Sequence, residues 1–229
     1  EGRYVSSAKK LSNAEVGEVV KFGVDPTGPV GGSLLANLIQ NPSLMERVNQ
    51  GREVGYIIIF VGLIGIAIAF WKLFTLYTMG VAVAKQAKSK THDKSNPLGR
   101  VLAVGEEHMG KDIETLELRL AEAIMAERPA IERGIPVVKI ISVVAPLAGL
   151  LGTVTGMIVT FQQITLFGTG DPKIMAGGIS QALVTTVLGL VVAIPTTLLH
   201  SFANSSARGI INVLEEQSTG IVAEHSDSK

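Results

Sequence analysis

Apolar residues collect into three long runs, separated by one charged stretch and one short polar turn. That pattern predicts an all-α integral membrane protein with three transmembrane helices. The first run covers 54–77 and carries one charge, Lys72. Its first 18 residues, Val54 to Trp71, are uncharged, close to the ~20 mostly apolar residues a helix needs to cross the hydrocarbon core. Tyr56 at one end and Trp71 and Tyr77 at the other suit the interface, and Lys72 can reach the headgroups along its aliphatic stem. The second run covers 137–167, with no charge between Lys139 and Asp171. The third covers 174–203 and stays uncharged as far as Arg208. Asp171-Pro172 reads as a helix cap with proline at the first helical position, so a turn at 168–173 joins the two as a hairpin.

The segments outside these runs carry weaker patterns. Residues 1–53 hold a Gly/Pro-rich patch, Asp25-Pro-Thr-Gly-Pro-Val-Gly-Gly32, then two short amphipathic helix candidates. Leu34, Leu35, Leu38 and Ile39 mark the first; the second starts at Asn41-Pro42, with Leu44, Met45 and Val48 apolar. A tether on the membrane surface and a binding module both fit. Residues 106–133, within the 78–136 segment, read as one charged helix. Ile113, Leu116, Leu120 and Ile124 form its apolar stripe, which needs a partner, and another copy of the chain would serve. Residues 204–229 form the tail after the third run.

Charge sets the direction. Lys85, Lys88, Lys90, Lys94 and Arg100 lie between the first and second runs against a single acid, Asp93, whereas the 168–173 turn has only Lys173. The positive-inside bias places 78–136 and the tail in the cytoplasm, and residues 1–53 and the turn in the periplasm. Net charge is zero, which gives no pull toward nucleic acid. With no cysteine, disulfides and thiolate metal sites are excluded, and no residue pattern calls for a metal or cofactor. The chain starts at Glu1 without a methionine or a signal-like segment, as a processed chain or a piece of a longer one would.

Small and polar residues inside the spans are ordered. Ser142, Gly149, Thr153, Gly156, Thr160 and Gln163 keep to one face of the second span for about 32 Å. In the third, Gly178, Ala182 and Thr186 are four apart, as are Gln181, Thr185, Gly189, Ala193 and Thr197. Small residues at this spacing let helices approach closely in lipid, and Gly152 and Gly156 in particular leave no room for larger side chains. Thr153, Thr160, Gln181, Thr185 and Thr186 add more polar groups than close packing needs, which points to a face lining a pore or a partner helix.

Ala145-Pro-Leu-Ala-Gly-Leu-Leu-Gly-Thr-Val-Thr-Gly156 and Gly177-Gly-Ile-Ser-Gln-Ala-Leu-Val-Thr-Thr-Val-Leu-Gly-Leu-Val-Val-Ala-Ile-Pro195 resemble the ExbB/TolQ/MotA family, most of all its ExbB/TolQ branch. The resemblance covers 136–208, and the three-span layout extends it to 54–208. It implies long helices continuing into the cytoplasm and a homopentameric ring in the bacterial inner membrane. The second and third helices would surround a central pore that holds the single helix of an ExbD- or TolR-like partner. Proton flow would then drive a TonB- or TolA-like protein. The family's pore threonines map onto Thr153 and Thr186, and its intramembrane glutamate falls on Gln181. Residues 1–53 are similar to the end of a periplasmic extension.

Other functions compete. A purely structural membrane oligomer shares the packing pattern, and partner-dependent ion conduction separates the two. An intramembrane enzyme would need a His-Glu-x-x-His motif or paired aspartates, and the spans carry neither; their one histidine, His200, lies near an end. A flagellar stator subunit would have four spans.

Overall fold

The computed structural model describes residues 9–15, 18–21, 44–89, 93–168 and 172–227, and among these there is helix and turn but no strand. Residues 1–47 and 48–229 form two separate compact units. The first unit's described part includes a helical turn at 9–12, where the Ser12 hydroxyl donates to the Lys9 carbonyl. The Gly/Pro-rich patch and the first short helix candidate lie outside the described residues. The second candidate is a helix, α1, Leu44–Gln50.

Five helices follow: α2 Arg52–Gln86, α3 Pro97–His108, α4 Ile113–Glu132, α5 Ile135–Phe167 and α6 Pro172–Asp227. Three of them, α2, α5 and α6, are long and apolar enough to cross a membrane. At 1.5 Å per residue α2 and α5 reach about 50 Å and α6 about 84 Å, against ~30 Å of hydrocarbon, so each continues into water. The helix of α6 does not stop near 203. Residues 204–227, within the expected tail, carry Ala207, Ile210, Ile211 and Leu214 on one buried stripe, and that stripe keeps the helix going. α5 ends at Gly168, whose φ of +71° turns the chain out of the helix. The rest of the turn, with the Asp171 cap, lies outside the described residues.

The charged region between the first two spans is two helices rather than one. Asp112 makes the break: its carboxylate accepts from the Thr115 amide (2.9 Å) and hydroxyl (2.8 Å), an N-cap that starts α4 at Ile113 and leaves Glu106 and Glu107 in α3. Arg100 on α3 grips Glu127 on α4 through two parallel 2.7 Å contacts. Before α3, the Ser95 amide and hydroxyl both donate to Asp93, holding its carboxyl below the ordinary carboxylate range. The apolar stripe of α4 finds its partner within the chain: Leu116 and Leu120 are buried together with Leu98, Val101, Ile211 and Leu214. No second copy is needed to cover them.

Two cores result, and they differ in kind. Beyond the spans, large side chains such as Leu98, Leu116, Leu120, Ile131 and Leu214 fill the center. Each contributes roughly 1.5–3 kcal/mol by leaving water. Within the spans the core is Ile58, Ala145, Val192 and Ala193, while Phe60, Leu63, Leu150, Leu151, Leu183 and Leu190 point outward. Lipid is as apolar as leucine, so burying leucine there gains little, and close fit decides which face is inside.

Candidate functional site

The hairpin of α5 and α6 is closed by small residues. A Cβ on Gly149 would lie 2.9 Å from the Thr185 carbonyl oxygen, and one on Gly189 2.7 Å from that of Ala145. A Cβ on Gly152 would meet Thr185 at 2.5 Å, and one on Gly156 would meet Ala182 at 3.1 Å. Gly178 faces the Thr160 hydroxyl, and Ala182 is itself buried. All six small positions singled out in the sequence thus face the opposite helix of the same chain.

This approach brings two threonines together. The Thr153 and Thr186 hydroxyls are hydrogen-bonded to each other. Thr153 Oγ1 is also 3.2 Å from the Ala182 carbonyl on α6, and Thr186 Oγ1 is 3.4 Å from the Gly149 carbonyl on α5. The arrangement is reciprocal: each hydroxyl reaches the carbonyl four residues before its counterpart. Each hydroxyl has one proton to give and two lone pairs to accept with, so the pair reorganizes its bonds without moving the helices. Both side chains are half-buried, at the edge of the seam and open to a molecule alongside.

The other three polar candidates sit elsewhere. Thr160 and Thr185 are 2% and 0% exposed, enclosed between the helices, and donate to the Gly156 and Ala182 carbonyls of their own helices at 2.9 and 2.8 Å. Threonines so enclosed fill space and touch nothing outside the protomer. Gln181 is half-buried and hydrogen-bonded to no described residue. It lies about 7.5 Å along α6 from Thr186 and ~140° around it, so the fold does not gather it with the threonine pair.

Two features escaped the sequence reading. Gly55, Ile58, Gly62, Gly65, Ala69, Lys72 and Leu76 form the buried face of α2, alternating three and four apart. A Cβ on Gly62 would lie 2.5 Å from Val192 of α6, and one on Gly65 2.9 Å from Ile141 of α5. That spacing is visible in the sequence and identifies the docking face of the first span. Lys72 belongs to the same face. It does not extend to the headgroups; it is 4% exposed and donates to the Ala130 carbonyl at 3.1 Å. Ala130 is in the last turn of α4, where carbonyls lack helical partners, so the ammonium supplies what the helix end needs.

No described group of histidines and acids is placed to hold a metal ion. What the hairpin provides is a pair of hydroxyls at the edge of an apolar seam, with no ionizable side chain between Ile140 and Gly168 or between Met175 and Leu199. Hydroxyls so placed donate and accept hydrogen bonds but carry no charge at neutral pH.

The MotA/TolQ/ExbB proton channel family matches residues 93–216, which include α5, the threonine pair and α6 as far as Glu216. Among similar proteins, one named as an ExbB homolog in Methanothermobacter thermautotrophicus is 26% identical over 76% of this chain and 67% of its own length. An ExbB-like protein of Synechocystis sp. is 29% identical over 69% of each chain. The biopolymer transport protein ExbB of Aquifex aeolicus is 48% identical over 25% of this chain and 39% of its own.

Proposed function

Because the chain belongs to the MotA/TolQ/ExbB proton channel family, we propose that it is the ExbB-like subunit of an inner-membrane proton motor. Five copies form a ring, the N-terminal segment and the hairpin turn face the periplasm, and α3, α4 and the end of α6 face the cytoplasm. A single-span, ExbD-like partner stands in the pore with an aspartate beside the threonines. Proton flow through the pair moves a TonB-like protein that energizes outer-membrane transport.

The observation that carries this reading is the Thr153–Thr186 pair in spans without a carboxylate. Gln181 takes the position of the family's glutamate, and its amide does not ionize. The essential acid therefore comes from the partner. Thr153 and Thr186 hydrogen-bond its carboxyl and the water beside it, while Thr160 and Thr185 keep the hairpin closed. Gln181 faces a neighboring copy or the pore.

The test is proton uptake by proteoliposomes holding the chain with an aspartate-bearing single-span partner. Wild type and Thr153→Ser conduct, and Thr153→Val loses roughly tenfold or more in rate, ~1.4 kcal/mol or more in barrier, with the oligomer intact. Full conduction by Thr153→Val, or by the chain without a partner, contradicts the proposal.

A further inference from the structure

Toward the other end of the hairpin the seam opens into a polar cavity of about 660 Å³ between α6, the start of α5 and the end of α4. Its position is not independent of the threonine pair. On α6, Thr197, His200, Asn204 and Arg208 all lie within about 40° of Thr186 around the helix. On α5, Ser142 and Lys139 lie within about 40° of Thr153. On both helices the residues next to the pair on this face are apolar or glycine, and beyond them Lys139 of α5 and His200, Asn204 and Arg208 of α6 line the cavity. His200 stands at its membrane end, half-buried, about 21 Å along α6 from Thr186. It is the one titratable side chain of the third span, and imidazole is the side chain that exchanges protons in the neutral range.

We infer that His200 is a proton-relay residue at the cytoplasmic exit of the path, a role that rests on the proton-motor reading above. One ring nitrogen takes a proton from water arriving along the seam edge. The other releases its proton to water in the cavity, and a change of tautomer resets the ring with no net charge gained. Charged side chains of three helices surround the cavity. Arg128 and Glu132 of α4 pair at 3.5 Å, while Lys139 of α5 and Arg208 of α6 stand against Glu215 of α6 alone. From α2, Lys72 is bound to the Ala130 carbonyl and takes no part.

The experiment uses the same proteoliposomes with partner, recording the pH profile of proton uptake for wild type, His200→Ala and His200→Gln. Glutamine keeps hydrogen bonding but not protonation, so both variants are expected to fall by about a hundredfold at neutral pH, within the range of a positioned acid–base group. Imidazole added on the cytoplasmic side restores His200→Ala. A wild-type rate and pH profile in His200→Gln, or a loss in His200→Ala that imidazole does not restore, overturns the relay while leaving the motor intact. Absence of uptake by wild type itself overturns both.

Discussion

A single hydroxyl or methyl decides more here than its size suggests, because the spans are packed backbone to backbone. Gly62 shows it best. With a Cβ only 2.5 Å from Val192, Gly62→Ala forces α2 away from α6. We expect a loss of about 1–3 kcal/mol in the detergent-solubilized protein, as for overpacking elsewhere. Val192→Ala in the same chain should recover most of it, and equal thermal stability of the single and double variants would show that this contact does not hold α2. Ser218 makes the opposite case. It is buried in the stripe of α6 beyond the membrane, and its hydroxyl has no hydrogen-bond partner among the described residues. Removing an unsatisfied buried hydroxyl relieves a cost, so Ser218→Ala should raise stability by about 1 kcal/mol. A lower melting temperature for that variant would mean that ordered water satisfies the hydroxyl.

Among the elements, the two-helix layer of α3 and α4 depends on local devices that are independent of the spans. The Asp112 cap separates the helices, and Arg100–Glu127 ties them side by side. Asp112→Ala should cost about 1 kcal/mol, as for other N-caps, and should fray α4 from its start. Hydrogen exchange would locate the effect at Ile113–Leu116; protection unchanged there would assign the start of α4 to packing alone. The break after His108 was hard to read in sequence because Glu106 to Lys111 is charged and helix-compatible. The capping signal of Asp112, with Thr115 three residues on, was present and outweighs propensity. The extension of α6 was implied by the family resemblance and not by the residues alone: after Phe202 its apolar stripe thins to Ala207, Ile210, Ile211 and Leu214, and only the neighboring α2, α3 and α4 make that stripe worth burying.

Across the whole molecule, the protomer leaves an apolar outer surface on all three spans and a half-open threonine pair at one seam edge. The five-membered ring of the proposed function places that edge inward. Native mass spectrometry from mild detergent should therefore give pentamers without covalent links, and a stable monomer would remove the pore from the proposal. Gly156→Leu should prevent assembly, because its side chain must displace Ala182 and part α5 from α6 before any ring can form. Pentamers of wild-type stability in that variant would show that the hairpin tolerates an opening the glycine contacts argue against.

By itself the sequence determined the three apolar spans, the hairpin and five polar candidates, from which the family resemblance singled out Thr153 and Thr186, because uncharged length and special residues are properties of the chain alone. Which faces meet was decided only by the tertiary structure. In water, an apolar stripe announces its buried side, and the 113–124 stripe did so, though its partner proved to be α6 and not a second copy. In lipid both sides of a helix are apolar, so periodicity no longer separates inside from outside. Contact then follows from atomic fit. A glycine set against Thr185 or Val192 closes the helices, pairing Thr153 with Thr186, enclosing Thr160 and Thr185, and leaving Gln181 apart. Lys72 follows the same logic. Its sequence position suited the headgroups, but an unpaired carbonyl at the end of α4 lies within reach and holds the ammonium inside.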